Sequence, residues 1–356
     1  VAAMHGVTGI LAGRLRWQGP EGWTEFLREQ RAHIAQRHAR IRELTQVTGE
    51  QLRSCGIPAQ ALKGAALHEA GLYLDGERPM ADLDLLVRAQ DVGRTTEVLE
   101  DLGLRESHRT FKHRVFVARD AVTPGRLGEH AANDIKVELH ERICEPLPQR
   151  LIDISQFVQA RAPRPGLNPY PSLAALMVHL LLHAAGDMAV RSLRLIQLHD
   201  IALLASRLTV ADWHEVVDRS SWWAWPPLSM AERYYGELAP CTVTARAREA
   251  CSAILRHVYA RQLLSDVSMS RLWVEAFPGI EWTQSVGEAA GYVWRRLAPS
   301  AELRERRRFA LQTEPSLTGS DWGAISQRRR ILRFLTRRAA RPWPLYNVRA
   351  ALAQRR

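Results

Sequence analysis

The sequence is poor in lysine and cysteine. Only three of its 49 basic residues are lysines, and its four cysteines, Cys55, Cys144, Cys241 and Cys251, are scattered along the chain with no C-x-x-C pair. This spacing argues against a disulfide framework and against a cysteine-rich zinc site. We therefore expect the cysteines to be reduced thiols of a cytoplasmic protein.

Long apolar runs are also absent. The first residues show no charged segment leading into an apolar stretch, so we expect no signal peptide. The longest apolar stretch, residues 173–185, contains His179 and His183. It is shorter than the roughly 20 residues that a membrane-spanning helix needs. The sequence therefore predicts a protein without a membrane partner.

Acidic residues are scarce at one end of the chain. The formal net charge is +11, and residues 301–356 hold fourteen arginines against four acids, so nearly all of the excess lies there. Such a segment can bind nucleic acid or an acidic partner through counterion release, or it can be a solvated surface. The lack of a common RNA-reading motif favours the second interpretation, so nucleic acid is the less favoured partner.

Residues 61–87 are the most informative part of the sequence. An apolar run ends in Lys63-Gly64, and a second run begins at Asp82-Leu83-Asp84. Gly64 would let the backbone approach a phosphate where a helix begins. Because side chains alternate faces along a strand, Asp82 and Asp84 would point the same way and could share a hard cation.

This arrangement resembles the nucleotidyltransferase superfamily, whose core has a strand, a glycine turn into a helix, and a strand carrying D-x-D. A closer resemblance is to an uncharacterised bacterial nucleotidyltransferase family. It covers about residues 1–205, and the order of its landmarks is more specific than any one of them. The matching landmarks are Leu62-Lys63-Gly64, Tyr73, Arg78, Asp82 to Val87, Leu99, Gly103, Glu138, His140, His179, His183 and Asp200.

The resemblance implies an Mg²⁺-dependent enzyme that moves a nucleoside monophosphate from a nucleoside triphosphate, with ATP as the default donor. Asp82, Asp84 and Glu138 would be the catalytic carboxylates and would hold two Mg²⁺ ions, which prefer oxygen ligands. Glu138 would also be a candidate general base. The acceptor would be a hydroxyl of a small molecule, a peptide or a protein, and the family's place beside bacterial biosynthetic clusters suggests an accessory role there.

The nucleotide would bind at Lys63, Gly64, Ala65 and Arg78. The superfamily commonly has serine after the glycine, and Ala65 lacks that hydroxyl. Lys63 would reach the phosphates, or it would be a strand-end lysine in solvent. Arg78 would clamp the triphosphate, since guanidinium groups bind phosphate through two hydrogen bonds, or it would be a surface arginine. Lys112 with Arg114 could also reach phosphate.

Three further residues are candidates for orienting the site or the acceptor. His140 would share a strand face with Glu138, or it would be a structural histidine. His183 follows His179 by four residues, but without H-E-x-x-H this spacing predicts a groove or core position and not a zinc site. Asp200 would contact a substrate or pair with Arg194.

The predicted fold class is α+β, with a small mixed-sheet nucleotidyltransferase core combined with a mainly helical lobe. The expected divisions are helices in 1–56, the core in 57–145, the lobe in 146–300 and the arginine-rich segment in 301–356. An aminoglycoside-type kinase is disfavoured because the H-x-D-x-x-x-x-N loop is absent. The alternative function is a catalytically inactive nucleotidyltransferase-like module whose basic tail binds RNA or an acidic partner.

Overall fold

The computed structural model describes most of the chain. The residues it leaves undescribed are 18, 111, 120–127, 161, 302, 306, 307, 309, 310, 312–315, 318–324 and 354–356. The described residues form a mixed α+β fold with one large sheet and many helices, which confirms the predicted fold class.

The helices before and within the sheet region are α1 Thr8–Arg14, α2 Trp23–Ser54, α3 Lys63–Glu69, α4 Val92–Asp101 and α5 Ser155–Val158. Those after it are α6 Leu173–Val190, α7 Leu195–Ala205, α8 Val210–Arg219, α9 Trp225–Tyr235, α10 Cys241–Ala250, α11 Ala253–Tyr259, α12 Leu264–Val267, α13 Val286–Leu297, α14 Gln327–Thr336 and α15 Pro342–Ala353. Residues 21–52 are charged and free of proline, which predicts a long helix that ends before Gly56. This helix is α2, and Gly56 follows it with a positive φ of 67°.

The strands are β1 Pro58–Ala61, β2 Asp82–Val87, β3 Leu104–Arg109, β4 His113–Ala118, β5 Lys136–His140, β6 Cys144–Leu147, β7 Arg150–Asp153 and β8 Gly166–Asn168. Six of them form one sheet in the order β3-β4-β5-β2-β1-β8, while β6 and β7 form a hairpin. Strand β2 is antiparallel to β1 and parallel to β5, so both acidic strands lie at the centre of the sheet.

The two faces of this sheet differ in chemistry. Leu83 and Leu85 of β2 point with Val137 and Leu139 of β5 into an apolar core that includes Leu52 of α2. Because strand side chains alternate, Asp82, Asp84, Glu138 and His140 emerge on the opposite face. The carboxylates are thus fixed on central strands that a buried core holds in place.

The helical lobe is built around α6. This helix has 18 residues and is long and apolar enough to cross a membrane by length and composition alone. However, 78% of it is buried inside the protein, as is common for a core helix of a soluble protein. Helix α6 extends five residues beyond the apolar stretch 173–185. Trp222, Trp223 and Trp225 are buried in the same lobe core, as expected for large aromatic residues.

Some elements differ from the sequence expectation. The four prolines of segment 163–171 predict a linker, but this segment contains β8, which pairs in parallel with β1. The pattern of residues 243–265 predicts one helix, but this range is divided among α10, α11 and the start of α12, because Cys251 takes an extended conformation and Ser252 caps α11 through its side chain. Strand β3 was not predicted, since its charged residues lie on an edge strand and lack a strongly apolar pattern.

The arginine-rich segment is only partly described. Within it, α14 buries Arg330 and Ile331, while Leu332 and Leu335 are exposed. The mixture of arginines with apolar residues at 331–335 predicts an amphipathic helix; the helix is present, but it leaves its two leucines exposed. Arginines 306, 307, 355 and 356 and the acids 302, 314 and 321 lie outside the described residues.

Candidate active site

Parallel pairing of β2 with β5 brings the predicted carboxylates together. Asp84 lies directly opposite Glu138, and Asp82 lies opposite Lys136. The Nε2 atom of His140 is 3.0 Å from Asp84 Oδ1 and 3.7 Å from Glu138 Oε2, so both carboxylates reach the same imidazole. The structure therefore brings Asp84, Glu138 and His140 together on one face.

Lys63 enters this group from the turn after β1. Its Nζ atom donates to Asp84 Oδ1 at 2.9 Å, and its side chain is 18% exposed. Lys63 also has a φ of 43°, a left-handed value that residues other than glycine seldom adopt. Its backbone N–H donates to the Tyr170 hydroxyl at 3.3 Å, and that hydroxyl is 2.7 Å from His179 Nδ1. Lys63 therefore faces the carboxylates and not the solvent.

His113 joins the site from β4, where it pairs with His140 in the antiparallel register. Its Nδ1 atom is buried, has no hydrogen-bond partner among the described residues, and lies 3.4 Å from Glu138 Oε2. The ligand atoms of His113, Glu138 and His140 lie within 4.8 Å of one another. The same register places Arg114 on the opposite face, and Lys112 pairs with Glu145.

The charges of the site are strongly interdependent. Burial, followed by the nearby charges of Asp84 and Glu138, raises the pKa of Asp82 to about 6. Burial also acts to raise the pKa of Asp84, but the Lys63 ammonium and His140 outweigh it and hold that pKa well below its usual range. Burial disfavours a charged Lys63, yet Asp84, Glu138 and Asp82 raise its pKa above the ordinary value. At neutral pH the ion pair between the Lys63 ammonium and the Asp84 carboxylate is therefore fully formed.

The donor set fits a divalent cation. Asp82, Asp84 and Glu138 offer carboxylate oxygens, the ligands that Mg²⁺ prefers. The orphaned Nδ1 atom of His113 points at Glu138 and adds a nitrogen donor, which suits Mn²⁺ or Zn²⁺ as well. Glu138 with His113 and His140 is thus able to hold a divalent ion, while metal binding by Asp82 and Asp84 stays a prediction.

Arg78 and Asp200 form a buried pair behind the turn. Nε and Nη2 of Arg78 donate to the two carboxylate oxygens of Asp200, each at 2.8 Å, and the Tyr73 hydroxyl donates to Oδ1 at 2.6 Å. The Asp200 side chain is 2% exposed. Asp200 therefore pairs with Arg78 and not with Arg194. Three separate landmarks of the sequence thus form one cluster between the core and α7, namely Tyr73, Arg78 and Asp200. The triphosphate-clamp role of Arg78 stays a prediction.

Gly64 makes room for this cluster. A Cβ atom at position 64 would lie 2.6 Å from Nη1 of Arg78 and 3.2 Å from Cγ of Met80. Since Asp200 holds the guanidinium on two sides, Arg78 cannot move away freely. The shape of the turn thus depends on a residue without a side chain, and Ala65 follows it inside α3.

Replacing Gly64 by alanine is expected to destabilise the protein by roughly 1–3 kcal/mol, because the added methyl group overpacks against Arg78. Urea unfolding measures this change. Gly93→Ala in α4 is the matched control, because a Cβ there meets nothing within 4 Å. Equal stability of the Gly64 variant and the wild type would show that the Arg78–Asp200 pair shifts at little cost.

Helix α6 lines the other side of the site with polar residues four positions apart. Nδ1 of His179 is hydrogen-bonded to the Tyr170 hydroxyl, while the ring nitrogens of His183 lie 3.7 Å from the carboxylates of Glu145 and Asp187. Burial holds the pKa of His179 well below its usual value, so the ring is neutral. His179 is therefore a buried core residue, while His183 is half-buried beside two carboxylates.

Sequence reasoning missed His113, Tyr170 and Glu145. A single histidine or tyrosine outside a motif carries no signal, and Tyr170 lies 107 residues from the lysine that it contacts. His113 offered one usable clue, because its strand alternates and its odd-numbered positions include the apolar Val115 and Val117. That pattern places His113 on the same face of β4 as these two apolar residues.

The glycine turn, the paired acidic strands and the lysine between them are features of a nucleotidyltransferase core. The model of the family described as uncharacterised nucleotidyltransferase matches residues 1–228, more than half of the chain, and the chain belongs to that family. This confirms the predicted resemblance and makes the protein a transferase of nucleotidyl groups.

Other comparisons add little. No curated protein matches the chain. Among solved structures, the solution structure of the antibiotic-resistance factor ANT(2'')-Ia is similar with 15% identity and a TM-score of 0.33, over 54% of this chain and 94% of that one. Similarity at this level carries no argument about substrate.

Proposed function

We propose that this protein transfers a nucleoside monophosphate from a nucleoside triphosphate, ATP by default, to a hydroxyl group of an acceptor in an Mg²⁺-dependent reaction. The observation that carries the proposal is the register of β2 with β5, which sets Asp84 opposite Glu138 beside Lys63 of the glycine turn. Family membership supports the reaction class.

In the proposed step the acceptor oxygen attacks the α-phosphorus and forms a new P–O bond. The bond between the α-phosphorus and the bridging oxygen breaks, and pyrophosphate leaves with the electron pair. The hydroxyl proton passes to the Glu138 carboxylate. Burial opposes ionisation of Glu138, but its hydrogen bond with His140 lowers the pKa, so the carboxylate is ionised at neutral pH.

Asp82, Asp84 and Glu138 would hold the divalent ion. When bound, this ion would neutralise charge on the phosphoryl oxygens and lower the pKa of the attacking hydroxyl. His140 would orient Asp84 and Glu138, to which it is adjacent. Gly64 and Ala65 would contact the phosphates through their backbone N–H groups.

The acceptor would bind between the sheet and α6. Nδ1 of His183 lies 3.7 Å from Oε1 of Glu145, and these two residues would orient the acceptor, while Asp200 would act indirectly by fixing Arg78. The acceptor is a small molecule, a peptide or a protein, and an accessory role in a biosynthetic cluster fits this range. The cytoplasmic location proposed from the cysteine pattern agrees with a nucleoside triphosphate donor.

Calorimetry with ATP, GTP, CTP and UTP, each with and without Mg²⁺, tests the proposal. We expect one nucleotide to bind well only when Mg²⁺ is present, which would also identify the donor. If the folded protein binds none of the four, the enzymatic proposal is wrong. The alternative of an inactive module, which the missing serine at position 65 favours, would then be tested by removing residues 301–356 and measuring RNA binding.

A further inference from the structure

Lys63 is the cation that the structure itself places among the catalytic carboxylates. It is one of three lysines in the chain, and its ammonium donates to Asp84 at 2.9 Å. The charges of Asp84, Glu138 and Asp82 all act on it. A positive charge at this point lies where the superfamily resemblance implies metal ions.

The position of this ammonium is built into the backbone. The left-handed φ of Lys63 and its N–H bond to the Tyr170 hydroxyl fix the Cα atom, and Tyr170 is in turn bonded to His179 of the lobe. A flexible lysine on the surface would show none of these constraints. The Lys63 side chain therefore extends toward Asp84 from a fixed backbone position.

Asp84 has limited capacity for metal ions as a result. A carboxylate oxygen has two lone pairs, and Oδ1 of Asp84 already accepts from Lys63 Nζ at 2.9 Å and from His140 Nε2 at 3.0 Å. In the two-oxygen bridging mode, each oxygen of the carboxylate binds one of the two ions. With Oδ1 saturated, Asp84 retains only Oδ2 for a metal ion.

We propose that the Lys63 ammonium takes the place of one of the two divalent ions, so that the site of this protein binds a single divalent ion. The inference rests on the proposed function. Lys63 would supply one fixed positive charge beside the phosphates, and the carboxylates would bind one ion. The absence of a turn hydroxyl at Ala65 agrees with this arrangement, because Lys63 brings its own phosphate contact.

The number of bound ions tests the proposal without an activity assay. The full-length protein is titrated with Mn²⁺ alone, and bound ions are counted from the loss of the free Mn²⁺ signal in electron paramagnetic resonance. We expect one ion for the wild type and two for Lys63→Met, which keeps most of the side-chain stem and removes the charge. Lys63→Arg, which keeps the charge, should bind one.

A second lysine provides a matched control. Lys136→Met removes the same charge from the exposed start of β5 without touching Asp84, and it should bind one ion. Circular dichroism shows whether each variant is folded, and Lys63→Gln replaces Lys63→Met if the latter is not.

Each outcome separates this inference from the proposed function. Two ions in the wild type, or one ion in both the wild type and the neutral Lys63 variants, would overturn the role of Lys63 and leave the metal site standing. No bound Mn²⁺ in either the wild type or the variants would contradict the metal site itself. Two ions in the Lys136 variant would show a general charge effect and would also overturn the proposal.

Discussion

Replacing Asp82 and Asp84 together by asparagine is expected to weaken Mg²⁺-dependent nucleotide binding about 100-fold or more. Asparagine keeps the shape of each side chain but removes the charge that attracts the ion. A metal ion contributes several kcal/mol to the stabilisation of phosphate charge, and about 2.7 kcal/mol corresponds to 100-fold. Calorimetry with the nucleotide that binds the wild type measures the loss.

Asp101→Asn is the matched control for this experiment. Asp101 is an exposed residue at the end of α4, so the same chemical change there should leave nucleotide binding unchanged. Binding in the absence of Mg²⁺ should be similar in all three proteins. If the double variant binds the nucleotide with Mg²⁺ as well as the wild type does, the metal site lies elsewhere.

Replacing Asp200 by alanine is expected to lower the free energy of unfolding by about 3–5 kcal/mol. The substitution leaves the Arg78 guanidinium buried without its partner, and removing one member of a buried ion pair costs this much because the remaining charge is uncompensated. The midpoint of urea unfolding measures the effect. Tyr73→Phe removes only one hydrogen bond to the same carboxylate and should cost roughly 1–3 kcal/mol.

A paired replacement distinguishes a structural role of this cluster from a substrate-binding role. Arg78→Met with Asp200→Leu removes both charges and should recover most of the stability that Asp200→Ala loses. Full stability of Asp200→Ala together with weaker nucleotide binding would contradict the structural role. It would return Asp200 and Arg78 to the substrate-contacting roles first considered for them.

The central strands could be predicted because their information is local. Alternation along β2 and β5 places Asp82 with Asp84, and Glu138 with His140, on one face without knowledge of their neighbours. Parallel pairing of the two strands is not local, since 56 residues separate Asp84 from His140. The resemblance to a family implied only that Glu138 would share a metal site with Asp82 and Asp84, so the parallel pairing itself was not predicted, and the roles of the individual site residues stay predictions.

Arg78 illustrates why some side chains could not be placed. A guanidinium group binds phosphate and carboxylate with the same two-pronged geometry, so the residue type does not choose between a triphosphate and Asp200. The choice depends on an aspartate 122 residues away. Lys63 presents the same problem, because a lysine at the end of a strand extends into solvent unless the tertiary structure encloses it.

The hydrogen bonds from His179 through Tyr170 to Lys63 bear on how such enzymes could be recombined. Tyr170 precedes α6 by three residues, and His179 lies on that helix. Two residues of the lobe therefore hold, through hydrogen bonds, the turn at Lys63 that follows strand β1 of the sheet. A chimera that takes its lobe from a relative therefore has to inherit Tyr170 and His179 as a unit with it. A junction placed between them would join two well-folded halves and still misplace the lysine.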